Sequence, residues 1–253
     1  MVHFVGAGPG ATDLITLRGA RLLGEADVII YAGSLVNPEL LSMAKESCKI
    51  YNSAEMTLEQ VLSVMQEAED QGLTTVRLHT GDMSLYGAIR EQIDPLIERG
   101  IDYDLTPGVS SCFGGAAALG AEFTLPGVSQ SLVITRMEGK TPVPEREKLR
   151  EFAKIGCSMA LFLSASLTEA VQEELLAGAF TENTPAALVY KATWPEQRIA
   201  RCTVGTLAET AKREKMTKTT LIYVGDFLDS AYDRSLLYHP GFTTEFRKGT
   251  GEL

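Results

Sequence analysis

Apolar residues along the first half of the chain predict strands and helices that alternate. Short apolar runs and helical periodicity predict strands at residues 2–5, 26–31, 74–78 and 103–105 and helices at residues 16–23, 57–72 and 88–99. The clearest helix begins at Thr57, which can form a capping box with Gln60, and stops at Gly72. This alternation is typical of a mainly parallel sheet with helices on its faces.

The second half of the chain is richer in strands. Its pattern predicts strands at residues 131–135, 159–163, 186–190, 199–203 and 219–224 and helices at residues 145–154, 168–176 and 206–213. The small residues Gly114–Ala118 predict a tightly packed helix that starts at Ser110 or Ser111. The turn-like residues 194–197 stand between two predicted strands, which predicts an antiparallel pair and a mixed sheet.

These elements predict an α/β protein of two domains, each a parallel or mixed sheet flanked by helices. We place the first domain at residues 1–113 and the second at residues 114–230, with a C-terminal tail at residues 231–253. The tail is polar and aromatic without clear periodicity, so we expect it to pack as an arm.

Composition narrows the expected partners and compartment. The net charge of -10 disfavours nucleic acid and anionic membrane surfaces, which select basic proteins. No apolar run is long enough to span a bilayer and no secretory signal is visible at the start, so we expect a cytoplasmic protein. The four cysteines and three histidines are scattered without ligand spacing, so no metal site is expected.

The loop Gly6–Ala11 after the first predicted strand satisfies the glycine pattern of a dinucleotide-binding Rossmann site. The second predicted strand, however, ends at Tyr31 without the acidic residue that would hold a ribose. Pro9 also removes a backbone N–H from the loop. The loop alone therefore indicates a weak dinucleotide site or a plain tight turn.

Other clusters of small or turn-forming residues follow the predicted strands, at residues 80–82, 106–110 and 190–193. In open α/β sheets ligands bind at the carboxyl ends of the strands, where the backbone must approach them closely. The recurrence of these clusters favours one shared ligand site.

With these motifs the sequence resembles the tetrapyrrole methyltransferases that use S-adenosylmethionine (SAM). The motifs shared with the whole family are Val5–Gly10 with Asp13–Thr16, Gly81-Asp82, Pro107–Ser111 and Val224-Gly225. Narrower motifs resemble the branch that methylates precorrin-4 or cobalt-precorrin-4 at C11; they are His79–Asp82 with Leu85–Ile89, Thr135–Pro144, Tyr190–Pro195, and Ser235–Phe242 with Phe246-Arg247. The resemblance covers nearly the whole chain.

The resemblance implies a homodimer of two-domain subunits in cobalamin biosynthesis, with SAM in the cleft between the domains and a tetrapyrrole beside it. It places SAM contacts on Gly8, Pro9, Gly81, Asp82, Leu85, Ser110, Ser111, Phe162, Leu163, Ala192 and Thr220. The product is S-adenosylhomocysteine. SAM is already an activated electrophile, so positioning supplies most of the catalysis and the sequence assigns no catalytic side chain.

A tetrapyrrole substrate carries many carboxylates, so an acidic chain must meet it with local cations. Arg136, Lys140 and Lys191 lie within the narrower motifs and are candidates for this contact. Trp194 is a candidate to cover a face of the ring. The alternatives are ordinary surface charges for the three cations and a residue that pins a turn for Trp194.

Three other functions stay open from the sequence. A dehydrogenase that uses a nicotinamide cofactor would explain the glycine-rich loop, and a regulatory module would bind a ligand without chemistry. Within the family, methylation at another ring position or of a protein is the third possibility. Tests of cofactor binding and of turnover separate these functions.

Overall fold

The computed structural model describes residues 1–251 and contains two five-stranded sheets. The strands are β1 Val2–Gly6, β2 Val28–Tyr31, β3 Lys49–Asn52, β4 Thr75–His79, β5 Tyr103–Thr106, β6 Leu132–Arg136, β7 Ser158–Phe162, β8 Pro185–Tyr190, β9 Arg198–Thr203 and β10 Thr220–Val224. The helices are α1 Leu17–Glu25, α2 Leu58–Asp70, α3 Arg90–Glu98, α4 Ser111–Leu119, α5 Leu149–Ala153, α6 Thr168–Leu176 and α7 Leu207–Arg213. The predicted α/β class is confirmed.

The first sheet has the strand order β3-β2-β4-β1-β5, and all its pairs are parallel. Its three central strands, β2, β4 and β1, are almost wholly buried, as expected for parallel strands that helices cover on both faces. Phe4 belongs to a core with Met65 of α2 and Leu96 of α3. Its neighbour Val5 points to the other face and packs in a second core with Leu23 of α1. The carboxyl ends of β1, β4 and β5 therefore lie side by side at one edge.

Helix α2 shows how the sequence sets an element boundary. The Thr57 hydroxyl accepts a hydrogen bond from the Gln60 N–H, and the Gln60 side chain accepts one from the Thr57 N–H. This capping box satisfies backbone donors that have no partner within the helix. At the other end Gly72 adopts φ +66°, which stops the helix, so both predicted ends are confirmed.

The second sheet has the strand order β6-β7-β10-β8-β9. Strands β6 and β7 are parallel, whereas β10 pairs antiparallel with β7 and β8, and β8 with β9. The mixed sheet and the antiparallel β8–β9 pair predicted from the sequence are confirmed. Leu161, Leu188 and Ile222 from three central strands pack with Val171 of α6 and Leu207 of α7 in one core.

The chain forms two compact units. The first contains Met1–Gly115 and Lys191–Gln197, and the second contains Ala116–Tyr190 and the chain from Arg198 onward. Residues 191–197, which join β8 to β9, thus belong to the first unit. The domain limits drawn from the sequence, 1–113, 114–230 and 231–253, stay a prediction.

Two element predictions were wrong. The edge strand β3 was not predicted, because it is half exposed and carries no apolar run. The helix predicted at residues 145–154 is instead a 3₁₀ turn at Glu145–Glu147 followed by the short α5, since Lys148 between them is extended, with ψ 146°. Within residues 1–251 no helix combines the length and the apolar character needed to cross a membrane.

Candidate functional site

The loops that follow β1 and β4 are joined by backbone hydrogen bonds. The Gly8 N–H donates to the Gly81 carbonyl at 3.2 Å, and the Gly81 N–H donates to the Gly8 carbonyl at 2.9 Å. Gly8 adopts φ +81° and Gly81 adopts φ +59°, a region that favours glycine. Two residues predicted to contact SAM from separate loops are therefore held in direct contact.

Three glycines bring the ends of β1, β4 and β5 unusually close together. A Cβ atom on Gly6 would lie 2.6 Å from the Gly108 Cα and 2.7 Å from the Gly81 carbonyl oxygen. A Cβ atom on Gly108 would lie 2.1 Å from the same oxygen. These atoms are backbone and cannot move aside, so any side chain at Gly6 or Gly108 would separate the loops.

Asp82 ties the loop after β4 to the loop after β5. Its Oδ1 accepts hydrogen bonds from the Ser84 N–H at 2.9 Å and the Ser84 hydroxyl at 2.5 Å, and its Oδ2 accepts one from the Gly108 N–H at 2.9 Å. Burial alone would raise the pKa of Asp82, but the bonds from Ser84 and Gly108 lower it below its usual value. The carboxylate is thus ionised at neutral pH and braces the loops itself.

The remaining predicted SAM contacts of these loops lie next to this junction. Ser110 is buried and caps α4, since its hydroxyl accepts a hydrogen bond from the Cys112 N–H at 3.3 Å. The Ser111 nitrogen would lie 3.3 Å from a Cβ atom on Gly81. Leu85 is half-buried, and its N–H donates to the Asp82 carbonyl at 3.4 Å. The predicted start of α4 at Ser110 or Ser111 is confirmed.

His79 ends β4 just before this junction, and its side chain is 4% exposed. Burial, and secondly the positive charge of Arg77, lowers the pKa of His79 to about 3. Its Nε2 has no hydrogen-bond partner in the described part of the chain. The imidazole is therefore neutral at physiological pH and stacks on Phe4, with ring centroids 6.1 Å apart.

The segment 191–197 packs directly on the glycine-rich loop. The Trp194 Nε1–H donates to the Pro9 carbonyl at 3.1 Å, and a Cβ atom on Gly10 would lie only 2.0 Å from the Trp194 Cδ1. The Lys191 Nζ lies 4.9 Å from the centre of the Trp194 ring. Ala192 between them is buried. The Trp194 side chain thus contacts the glycine-rich loop at Pro9 and Gly10.

Two further polar residues hold this loop and were not predicted as site residues. The buried Asn37 donates its Nδ2–H to the Gly10 carbonyl at 2.9 Å, and Thr193 accepts a hydrogen bond from the Ala11 N–H at 3.0 Å. Asn37 precedes Pro38, a pair typical of a helix start, but nothing in the sequence indicates its bond to Gly10.

The second unit holds the other predicted site residues. Arg136 and Phe162 are register partners at the ends of β6 and β7. Leu163 follows at φ +52°, a backbone conformation that is uncommon for a residue other than glycine, and it is 66% exposed. Ser164, which was not predicted, joins the two strand ends by accepting the Met137 N–H at 2.7 Å.

Arg136 closes the loop that follows β6. Its guanidinium donates to the carbonyls of Thr141 at 3.1 Å and Pro142 at 2.7 Å. Arg136 forms no ion pair among residues 1–251, whereas Lys191 of the first unit lies 3.4 Å from a Glu196 oxygen. Lys140 is exposed within the Arg136 loop. Thr220 starts β10 and is buried, with its hydroxyl donating to the Lys218 carbonyl at 2.8 Å.

Non-glycine residues at positive φ concentrate in the segments predicted to hold ligands. They include Tyr86, Ala88, Leu163, Lys191 and Thr193. Each such residue costs about 1–3 kcal/mol of strain, which a fold retains mainly at functional sites. Four of these five residues lie in the first unit, in the loop after β4 and in the segment 191–197.

The glycine-rich loop also departs from the geometry of a dinucleotide site. In such a site the glycines open a helix whose N-terminus meets the pyrophosphate. Here α1 begins only at Leu17, after a 3₁₀ turn at Thr12–Leu14. The amides of Gly8 and Ala11 already donate to Gly81 and Thr193.

Comparison with known proteins points to one family. Residues 1–208 match the sequence model of the tetrapyrrole (corrin/porphyrin) methylases. A cobalt-precorrin-4 C(11)-methyltransferase of Methanocaldococcus jannaschii is 52% identical over 98% of this chain and 96% of its own length. A precorrin-4 C(11)-methyltransferase of a Sinorhizobium species is 44% identical over 99% of both chains.

Solved structures agree with these relatives. The crystal structure of a cobalt precorrin-4 methyltransferase of cobalamin biosynthesis is 44% identical, with a TM-score of 0.89 over 90% of this chain and 96% of that one. A uroporphyrin-III C-methyltransferase of Thermus thermophilus, solved with S-adenosylhomocysteine, is 25% identical, with a TM-score of 0.76 over 90% of this chain and 93% of that one.

Proposed function

Because the chain belongs to the tetrapyrrole (corrin/porphyrin) methylase family, we propose that it methylates C11 of precorrin-4 or cobalt-precorrin-4 in cobalamin biosynthesis. Relatives named for this reaction are 52% and 44% identical over nearly the whole chain. The enzyme is a C-methyltransferase that uses SAM and releases S-adenosylhomocysteine. We prefer this function to that of a nicotinamide-dependent dehydrogenase. Such an enzyme would need a helix that begins at the glycine-rich loop, whereas α1 begins only at Leu17.

We place part of the SAM site where the loops after β1, β4 and β5 meet. The observation that carries this placement is the contact of Gly6, Gly81 and Gly108, which brings the backbone of three loops together at the carboxyl edge of a parallel sheet. In the first unit the proposed contacts are Gly8, Pro9, Gly81, Asp82, Leu85, Ser110, Ser111 and Ala192. In the second unit they are Phe162, Leu163 and Thr220.

Asp82 suits the SAM site for an electrostatic reason. SAM carries a sulfonium and an amino group, both cationic, and the low pKa of Asp82 keeps its carboxylate ionised. Each carboxylate oxygen accepts more than one hydrogen bond, so the bonds from Ser84 and Gly108 leave capacity for a ligand.

The reaction needs alignment more than it needs a protein nucleophile. An electron pair of the ring carbon forms the new bond to the methyl carbon, the electrons of the methyl–sulfur bond pass to sulfur, and the methylated ring releases a proton, which balances the charge. SAM supplies the activated methyl group, and the protein holds both reactants in line and excludes water. Rigid loops such as those joined by Gly8 and Gly81 suit this task.

We propose Arg136, Lys140 and Lys191 as contacts for the substrate carboxylates. Arg136 has the strongest case, because its bonds to the Thr141 and Pro142 carbonyls orient the guanidinium without neutralising it. Lys191 is partly neutralised by Glu196 at 3.4 Å, which weakens its case. Trp194 was a candidate to cover the ring, but its contacts with Pro9 and Gly10 favour another role.

We also propose that the enzyme works in the cytoplasm as a homodimer. Cys48, Cys157 and Cys202 are thiols and form no disulfides among the described residues, as expected in a reducing compartment. The homodimer is what the family resemblance implies, and sedimentation of the purified protein tests it.

The decisive experiment supplies both ring substrates. The protein is incubated with isotope-labelled SAM and either precorrin-4 or cobalt-precorrin-4, and the position of the labelled methyl group is determined by NMR. Label at C11 is expected. Label at another ring carbon would support a different activity within the family. If the protein bound S-adenosylhomocysteine but showed no turnover, a ligand-binding module would be supported. Comparison of the methylation rates with precorrin-4 and with cobalt-precorrin-4 shows which of the two is the preferred substrate.

A further inference from the structure

The single tryptophan of the chain, Trp194, contacts the glycine-rich loop that we assign to the SAM site. We propose that Trp194, assisted by Thr193, is a positioning residue that fixes the peptide planes of residues 8–11 for SAM binding. Trp194 acts on the cofactor through the loop and does not stack on the tetrapyrrole. This inference rests on the proposed function, since it takes the loop as part of the SAM site.

The first two peptide planes of the loop are each held by one bond. The Gly8 carbonyl accepts the Gly81 N–H at 2.9 Å, which fixes the plane between Gly8 and Pro9. The Pro9 carbonyl accepts the Trp194 Nε1–H at 3.1 Å, which fixes the plane between Pro9 and Gly10. Since a trans peptide points its N–H opposite its carbonyl, Trp194 also sets the direction of the Gly10 N–H.

The third peptide plane is held at both ends. Asn37 donates to the Gly10 carbonyl at 2.9 Å, and Thr193 accepts the Ala11 N–H at 3.0 Å. Glycine-rich loops are otherwise free to adopt many backbone conformations, which would raise the entropic cost of binding a ligand. Three fixed planes in succession remove much of that cost in advance.

The indole itself is held in a single position. A Cβ atom on Gly10 would lie 2.0 Å from the Trp194 Cδ1, so the ring lies directly against the loop backbone. The Lys191 ammonium lies 4.9 Å from the ring centre. The Thr193 N–H donates to the Gln197 Oε1 at 2.7 Å, which braces the turn around the ring. The indole contacts Gly10 and Lys191, and its N–H is bonded to Pro9. These contacts direct the side chain to the glycine-rich loop.

Two variants separate the hydrogen bonds from the bulk of the side chains. Trp194→Phe keeps an aromatic ring and removes the donor to Pro9, and Thr193→Val keeps the branched shape and removes the acceptor for Ala11. Each loses one hydrogen bond, so we expect the Kd for S-adenosylhomocysteine to rise by about three- to tenfold in each variant. The KM for SAM should rise in parallel, while the KM for the tetrapyrrole stays unchanged.

Thr57→Ala is the matched control for loss of stability alone. Thr57 caps α2 through its bond with Gln60 and has no contact with the glycine-rich loop among the hydrogen bonds of the described residues. Its loss should lower the free energy of unfolding, but the affinity for S-adenosylhomocysteine should stay at the wild-type value. A general destabilisation therefore cannot imitate the expected result.

Calorimetry measures the binding of S-adenosylhomocysteine to all four proteins, and Trp194 emission provides a second measurement in the three that retain it. A change of emission on binding in the wild type, with weaker binding in both site variants, supports the proposal. Wild-type affinity in Trp194→Phe and Thr193→Val would overturn it, as would a loss of tetrapyrrole affinity alone. If the wild type itself did not bind S-adenosylhomocysteine, the proposed function would fail instead.

Discussion

The buried imidazole of His79 links the stability of the fold to pH. Its pKa is about 3 in the folded protein, against about 6.5 in an unfolded chain. Between these values the unfolded chain binds a proton that the folded protein does not, so the free energy of unfolding falls as the pH falls below about 6.5. The slope is about 1.4 kcal/mol per pH unit, or about 2 kcal/mol lost by pH 5.

Urea unfolding at several pH values between about 5 and 7.5 measures this effect, above the range in which ordinary carboxyl groups titrate. The matched variant is His79→Gln, which stays polar and does not titrate. We expect the wild type to lose stability more steeply than the variant as the pH falls. Equal slopes for the two proteins would show that His79 is protonated without unfolding.

Substitutions of Arg136 can separate the effect of its positive charge from the effect of its hydrogen bonds to the loop after β6. Removing the guanidinium in Arg136→Ala should raise the KM for the tetrapyrrole by roughly tenfold, the effect of losing one hydrogen bond to a charged group. The affinity for S-adenosylhomocysteine should stay nearly unchanged. Steady-state kinetics with each substrate varied, together with calorimetry, measures both effects.

Arg136→Lys is the control for this prediction. It keeps the positive charge but cannot reproduce the paired donation to Thr141 and Pro142. Partial recovery of tetrapyrrole affinity in this variant would assign the effect to charge, and failure to recover would assign it to the shape of the loop. An equal loss of affinity for both ligands in Arg136→Ala would refute the proposed division between cofactor and substrate residues.

At the scale of elements, the approach of β1, β4 and β5 depends on the absence of side chains. Gly6→Ala would place a methyl group 2.6 Å from the Gly108 Cα, so the strand ends must separate. Overpacking of this kind costs about 1–3 kcal/mol. We expect Gly6→Ala to lower the free energy of unfolding by that amount and to weaken the binding of S-adenosylhomocysteine, as measured by urea unfolding and calorimetry.

Gly24→Ala is the matched control, because Gly24 lies exposed on α1, where a Cβ atom would meet only the Met43 carbonyl at 3.6 Å. Alanine is the better helix former by about 0.5–1 kcal/mol, so this variant should be more stable than the wild type. Unchanged stability and ligand affinity in Gly6→Ala would show that the strand ends can shift without cost.

Local sequence signals predicted most of the elements correctly. The capping box at Thr57 and the stop at Gly72 predicted the ends of α2, and the apolar period predicted α6 at Thr168–Leu176. Strand β3 was missed, since an exposed edge strand carries no alternating or continuous apolar pattern. The helix at residues 145–154 was too long, because its polar residues fit a helix and a 3₁₀ turn equally well.

The candidate site was harder to predict because its contacts are distant along the chain. The glycines at the strand ends were identified as turns, but the contact of Gly6 with Gly108 depends on the strand order of the sheet. Asn37 lies 27 residues from Gly10, and Ser164 lies 27 residues from Met137. Single polar residues of this kind have no motif, so only the folded chain reveals their partners.

At the scale of the whole molecule, the net charge of -10 separates recognition of the cofactor from recognition of the substrate. A ring with many carboxylates is repelled by the overall field and needs local cations, the role that we propose for Arg136. SAM carries positive charge at its sulfur, so its binding is favoured by the same field. The affinity for the tetrapyrrole should therefore change more strongly with ionic strength than the affinity for SAM.

Ligand binding should also stabilise the whole chain in a way that identifies the cofactor. A ligand at about 100 times its Kd stabilises the folded state by about 2.7 kcal/mol. For a chain of 253 residues this raises Tm by roughly 5 to 10 °C. We expect this shift with S-adenosylhomocysteine and none with NAD, as measured by differential scanning calorimetry.

The Gly6→Ala protein is the control, because its strand ends no longer meet and its Tm should rise less at the same concentration. A rise with NAD and none with S-adenosylhomocysteine would restore the dinucleotide site as the function of the loop.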